Sequence, residues 1–268
     1  VEISDDELRN PWSKRGFGIG VVTTDLEATP QGPLAPRSWG DRIRSHGPLW
    51  WLGFGGTRPG WGRLRGEHRP LHMGSYPMER IQRVDAATTL VIDEEIPRVP
   101  QRASFFDRPI HGDLGTKFVE DRKVFATKTP SARAYVSMIR SMVPHQDGPV
   151  ATDLAQGTED PNVNASAVKA LAHFLGGDMV GICPVPRYAW YSHDADGEPI
   201  EPYHQNAIVI LLDQGYETME GASGDDWISG AQSMRAYMRG AEIAGVIAEH
   251  LRGLGWSARS QTNALSHV

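Results

Sequence analysis

The stretch SGAQSMRAYMRGAEIAGVIAEHLRGLGWSARSQTNALSHV, residues 229–268, decides how the rest of the chain is read. Between Ala231 and Leu254 it holds no proline, and Met234, Met238, Ala241, Ala244 (or Gly245), Ala248 and Leu251 recur at helical spacing, making one apolar stripe. Gly253 and Gly255 supply a stop. The expectation is a long helix, a short turn and a loop. Ser233 and Tyr237 lie four residues apart, so their hydroxyls share one helix face, one turn from each other, as a candidate polar pair. The small residues Gly240, Ala244, Gly245 and Ala248 would admit either the backbone of a sheet or a flat ligand such as a large planar cofactor.

Upstream, AIVILL (207–212) reads as a strand, and so does MVGIC (179–183), closed by Pro184. A helix over 164–175, with Asn164 as its cap and Gly176 and Gly177 as its stop, leads into that second strand. A shorter helix is expected over 131–142, starting at Ser131 and ending before Pro144. Helix, glycine turn and buried strand make an α/β unit, in which Cys183 is expected as a small buried apolar residue. Residues 71–130 read as extended segments and loops, and 17–26 (FGIGVVTTDL) carry a β signature. Asp194 and Asp196 sit in a polar turn and do not complete a calcium loop. The Gly-rich stretch 216–227 lacks a phosphate-binding Gly-Lys-Ser.

Composition narrows the function classes. A chain of 268 residues can bury a sizeable core. Its net charge of −6 argues against a nucleic-acid partner, so the cluster of Trp50, Trp51, Phe54, Trp61, Arg58, Arg63 and Arg65 reads as an interdomain packing surface. No run of about 18 apolar residues and no signal-peptide pattern is visible, so no membrane association and a cytoplasmic location are expected. With Cys183 the single cysteine, neither an internal disulfide nor a cysteine-held cluster can form within this sequence. None of the ten histidines has metal-site spacing.

Several segments, in order, resemble the cobalamin-dependent reductive dehalogenases of the soluble, catabolic type. AYMRGAEIAGVIAEHLRGLGWSA (236–258) followed by TNALS (262–266) resembles the family's tyrosine, its helix ending A-E-x-[IL]-R-x-L-G-[YW], and its N-x-x-A-L-S loop. HMGSYPMERIQR (72–83) resembles H-x-G-P-Y-P-M-E-R, and GDMVGICP (177–184) resembles G-A-D-x-V-G-[IV]-x-P. NAIVILLD (206–213) is similar to the strand that follows. The stretch at 17–26 also looks like the V-x-T-D-[LM]-P strand of the family's cobalamin domain.

The resemblance implies an α/β (α+β) fold: a nitroreductase-like mixed, largely antiparallel sheet flanked by helices, incomplete in this chain. Residues 1–70 are then expected to be an N-terminal region, the tail of a preceding related module, and 71–268 the first part of the cobalamin-binding domain of a longer chain. The implied activity is reductive dehalogenation of halogenated aromatics or phenols. The implied cofactors are cobalamin and two 4Fe-4S clusters, the latter bound by sequence beyond this chain. Tyr237 matches the family's proton donor, Ser233 a hydroxyl position lining the substrate cavity, and Asn263, Ala264, Leu265 and Ser266 the loop that approaches the corrin. Phe105 and Phe106 are candidates for the aromatic wall of the cavity. Partners implied are a small organohalide substrate and an electron donor such as a ferredoxin, flavodoxin or reductase, with room for a homodimer. The same helix and loop would also serve a cobalamin-binding or trafficking module, or a flavin nitroreductase-like domain or epoxyqueuosine reductase relative, without dehalogenase activity.

Overall fold

The computed structural model describes residues 17–27, 90–105, 107–125, 127–215, 218, 222, 226–262 and 264–268. All of them fall in one of the chain's two compact units, made of Val1–Pro30 and Thr88–Val268. The Trp- and Arg-rich cluster, the segment at 72–83, Phe106 and Asn263 lie outside the described residues.

Among the described residues, four strands form one antiparallel sheet. They are β1 (Phe17–Thr24), β2 (Met179–Pro184), β3 (Asn206–Asp213) and β4 (Ala258–Gln261), ordered β2-β3-β1-β4. β1 pairs along its whole length with β3, from Phe17 opposite Asp213 to Thr24 opposite Asn206. On its other edge Thr24 faces Ala258 and Val21 faces Gln261. Among the described residues each pairing is antiparallel, in keeping with the largely antiparallel sheet that the resemblance implies. The early strand at 17–24 is central in the sheet built by residues 179–261.

The α-helices α1 (Thr116–Phe125), α2 (Pro130–Ser141), α3 (Pro161–Phe174) and α4 (Ile228–Gly253) accompany it. α4 matches the expected long helix. It ends in a Schellman motif, with Gly255 at φ +89°, Trp256 N donating to Leu251 O and Gly255 N to Arg252 O, both at 3.0 Å. A side chain at that φ would be strained.

Two helix starts differ from expectation. α3 is capped by Asp160, whose Oδ1 accepts the Asn162 N–H at 2.8 Å, with Pro161 opening the helix. Asn164 is buried inside it, and its side chain donates to Glu27 O and Thr158 O. α2 is capped by Thr129 rather than started by Ser131. The helix α1 lies where loops and extended segments were expected. Its charged positions favour helix, and Lys117 and Asp121 pair one turn apart at 2.8 Å.

The core lies between one sheet face and the helices α3 and α4. Val22, Val180, Ile182, Ile208, Ile210, Leu212 and Ala258 of the sheet meet Ala165, Val168 and Ala172 of α3 and Ile243, Ala244, Ile247, Ala248 and Leu251 of α4. Each large aliphatic side chain buried there contributes roughly 1.5–3 kcal/mol of transfer free energy. α2 packs on α4 from outside. Cys183, expected in the core, is exposed, because strand alternation turns it away from the face that Val180 and Ile182 share.

The small residues of α4 serve this packing. A Cβ on Gly20 of β1 would stand 2.9 Å from Gly240 O and 3.2 Å from Gly240 Cα, so two glycines let helix and strand backbones touch. Ala244 and Ala248 continue that buried face. At Gly245, by contrast, a Cβ would meet no other described group within 4 Å.

Candidate functional site

The register fixes which groups gather at one end of the sheet. α4 leads through its cap to β4, which starts opposite Thr24 and runs back along β1 to Val21. The chain therefore leaves β4 at the level of Gly20, which is also where Gly240 of α4 sits. The half of α4 before Gly240, with Ser233 and Tyr237, lies toward that same end, together with the end of β3 at Asp213.

Along α4 the positions 233, 237, 240, 244, 248 and 251 form one line at helical spacing. From Gly240 onward that line is buried in the core. Ser233 and Tyr237 continue it but are only half-buried. Among the described residues none hydrogen bonds the Tyr237 hydroxyl. The two arginines beside it are engaged elsewhere: Arg235 Nη2 donates to Gln214 O at 3.2 Å, and Arg239 Nη2 to Gly176 O at 2.7 Å. The helix start is pinned by Gln232, which is buried and donates to Gln214 O and, at 2.8 Å, to Gly215 O.

The loop after β4 is a built structure. Thr262 and Leu265 exchange backbone hydrogen bonds at 3.1 and 3.2 Å, closing a tight turn. Ala264 at its tip is exposed, while Leu265 and Ser266 are half-buried. Gln261 Oε1 accepts the His267 N–H at 2.8 Å, and His267 O accepts Tyr191 N–H at 2.9 Å. Tyr203 Oη lies 2.9 Å from His267 Nδ1. Burial holds His267 below the ordinary imidazole value, as does the charge of Arg259, against Asp194 and Asp147. Burial likewise raises the Tyr203 phenol, so both shifts favour the neutral forms of the pair.

Behind the loop, Gln261 Nε2 donates to Thr23 Oγ1 at 3.3 Å, and Thr23 Oγ1 is 2.8 Å from His204 Nδ1. The other ring nitrogen, Nε2, lies 2.9 Å from Ser257 Oγ, so the imidazole bridges two hydroxyls, each of which can donate or accept. Burial lowers the pKa of His204, and Arg259 acts in the same direction, while Asp25 and Asp147 oppose them. Nothing in the sequence pattern singled out Gln261, Thr23 or His204. Their role arises from strands that meet across more than 180 positions.

The remaining candidates are scattered. Phe105 is 57% exposed and packs edge-on against Phe118 of α1, ring centroids 5.3 Å apart. Asp194 Oδ1 accepts the backbone N–H groups of Asp196 and Glu198, as in an ordinary turn. Among the described residues no three His, Cys, Asp or Glu side chains converge to hold a metal ion, and no helix is long and apolar enough to cross a membrane.

No protein-family model matches the sequence, and a comparison with curated proteins gives no match. Among solved structures the chain is similar to the N-terminally tagged catabolic reductive dehalogenase NpRdhA, at 52% identity and a TM-score of 0.69. The same protein in complex with 3-bromo-4-hydroxybenzoic acid matches with the same identity and TM-score. A reductive dehalogenase structure described as suggesting a mechanism for B12-dependent dehalogenation matches at 52% identity and a TM-score of 0.70. Each match covers 88% of this chain and 34% of the relative, so the chain spans about a third of the proteins it resembles. At that identity over most of its length, the chain belongs to the reductive dehalogenase family.

Proposed function

We propose that the protein to which these residues belong removes halide reductively from halogenated phenols or aromatic acids, with cobalamin as cofactor. The observation that carries this is Tyr237. It falls at the family's proton-donor position, and it is half-buried on the one face of α4 that otherwise forms the core.

The residues present suit a corrin better than a bare ion. Among the described residues no side chains converge on a metal, whereas the loop after β4 is an uncharged turn closed by its own backbone and hydroxyl hydrogen bonds. A macrocycle fringed with amides brings its own cobalt and calls for such neutral partners. Asn263, Ala264, Leu265 and Ser266 would hold it. When bound, cobalamin would supply the reducing electrons and the cleavage of the carbon–halogen bond.

The task left to this chain is the proton. Tyr237 would donate its phenolic proton to the carbon that loses halide, and Ser233, one turn earlier on the same face, would orient the substrate. Phe105 and Phe106 are proposed as an aromatic wall. A phenol has a reference pKa of about 10 and needs a nearby cation to give up its proton readily. Arg235 and Arg239 are committed to carbonyls, so that cation would come from outside the described residues. Two 4Fe-4S clusters, fed by a ferredoxin, flavodoxin or reductase, would take their thiolates from elsewhere too, as Cys183 is the single cysteine here. The nitroreductase-like fold and a cytoplasmic setting belong to the same proposal.

The test is the visible spectrum of the full-length protein, produced anaerobically with cobalamin. Corrin bands with a broad iron–sulfur shoulder support the reading; a flavin spectrum, or none, overturns it. Tyr237→Phe should then keep the corrin bands while debromination of 3-bromo-4-hydroxybenzoic acid falls by about 10²-fold or more, the scale of general acid catalysis. Unchanged turnover would remove Tyr237 from the chemistry.

A further inference from the structure

One buried side chain outside the proposed chemistry touches the cofactor loop at several points. Gln146 follows the short turn Val143–His145 and is only 1% exposed. Its carbonyl accepts the Ser260 N–H at 3.0 Å, closing the free edge of β4. Its Nε2 lies 3.1 Å from Ser260 O, 3.1 Å from Thr262 Oγ1 and 2.9 Å from Leu265 O. Two of these are carbonyls, which can only accept, so the nitrogen of the amide must face them. Two N–H groups are shared among three acceptors, one at the loop's entry, one at its corner and one at its return.

The corner depends on the same atoms. Thr262 Oγ1 also accepts from the backbone of Ala264 and Leu265, at 3.3 and 3.4 Å. Behind Gln146 stands Arg252 of α4, whose Nη1 donates to Gln146 O at 3.2 Å. The helix that carries Tyr237 is thereby linked through Gln146 to the turn that precedes Ser266. An uncharged amide of this length suits the position. Glutamate would aim a negative charge at three oxygens, and methionine would fill the space with no donor.

We propose, resting on the cobalamin reading above, that Gln146 is a positioning residue for the cofactor loop. It holds Thr262, Ala264 and Leu265 in their binding shape before cobalamin arrives, so that little ordering is left to the binding step. Most of the loop's shape then belongs to the apoprotein.

The test compares full-length Gln146→Met, Gln146→Glu and Val168→Ala, the last a core change in α3 that lowers stability without touching the loop. In cobalamin-free protein, hydrogen-exchange protection of the Leu265 and His267 amides should fall about 10-fold or more in both Gln146 variants, equivalent to 1.4 kcal/mol, and stay unchanged in Val168→Ala. Cobalamin titrated by absorbance should bind about 10-fold more weakly to the Gln146 variants alone. Protection in Gln146→Glu should recover on acidification, as the protonated acid regains one donor, while Gln146→Met should not recover. Equal exchange in all proteins would overturn the idea, as would loosened exchange with unchanged cobalamin affinity. An equal affinity loss in Val168→Ala would reduce Gln146 to a general packing role. If the unaltered protein takes up no cobalamin, the functional reading fails along with the cofactor half of this one, and the exchange data still report whether Gln146 holds the loop.

Discussion

Gly20→Ala and Gly245→Ala add the same methyl group to the two partners of one layer, and the structure gives them opposite signs. At Gly20 the new Cβ would stand 2.9 Å from Gly240 O and 3.2 Å from Gly240 Cα. Ordinary carbon contacts begin near 3.5 Å, so α4 would have to withdraw from β1 by about half an ångström. Both obstructing atoms are backbone, and no rotamer change relieves the clash. Overpacking of this kind costs about 1–3 kcal/mol. At Gly245 the new Cβ would meet, beyond its own helix backbone and chain neighbours, no heavy atom of the described residues within 4 Å, and alanine in a helix interior gains roughly 0.5–1 kcal/mol over glycine. With about 2–4 °C per kcal/mol for a domain of this size, thermal unfolding followed by circular dichroism should show Gly20→Ala several degrees below the parent and Gly245→Ala one to a few degrees above it, roughly. Tyr237 lies one turn before Gly240, so Gly20→Ala should also slow the proposed dehalogenation. A neutral or stabilising Gly20→Ala would mean that α4 is not seated on β1 through these glycines. A destabilising Gly245→Ala would mean that something covers that position.

Two further substitutions test the supports of the site. Arg252→Met should cost about 2–4 kcal/mol in urea unfolding with the slope unchanged, since the guanidinium, 1% exposed, donates to the carbonyls of His145, Gln146 and Ala258 and pairs with the exposed Glu249; a loss under about 1 kcal/mol would deny it that role. His204 has its folded pKa lowered, mainly by burial, so below about pH 6.5 the unfolded chain binds more protons than the folded one. Its contribution to stability is therefore complete above that pH and is lost as pH falls through the folded pKa. His204→Gln should flatten the acid side of a plot of melting temperature against pH, and an unaltered slope would assign the acid sensitivity elsewhere, with His267 as the next group to test.

What the sequence disclosed was local. The long helix expected over 231–254 is Ile228–Gly253, and the strands expected over 179–183 and 207–212 are Met179–Pro184 and Asn206–Asp213, because periodicity and glycine stops act within a turn or two. Two local signals were present and outweighed. Asp160 followed by Pro161 is a stronger helix start than Asn164, and Lys117 with Asp121 marked α1, whose paired apolar residues read as extended runs. The antiparallel order was not legible, since β1 meets β3 across some 180 intervening positions. Gln146 was equally silent, because a glutamine acquires meaning only from the three oxygens that the fold sets around its nitrogen.

The position of Tyr237 follows from the same packing that hides the rest of its helix. A proton donor sealed in the core could not meet a substrate, and one on the open surface would stay solvated by water. In the proposed chemistry α4 meets both demands by continuing a single line of residues from Leu251 back through Ala244 and Gly240, where two backbones touch, to Tyr237 and Ser233, which are half-buried. The contact of Gly240 with Gly20 sets how close the helix lies to the sheet, and β4 releases its loop at that same level. One glycine pair therefore fixes the height of the phenol, and the Arg252 to Gln146 link fixes the loop to the same helix. If the proposed chemistry is right, donor and cofactor seat are held by one rigid element, and a change that shifts α4 as a body should disturb proton delivery and cobalamin binding together, while Tyr237→Phe should touch the first alone.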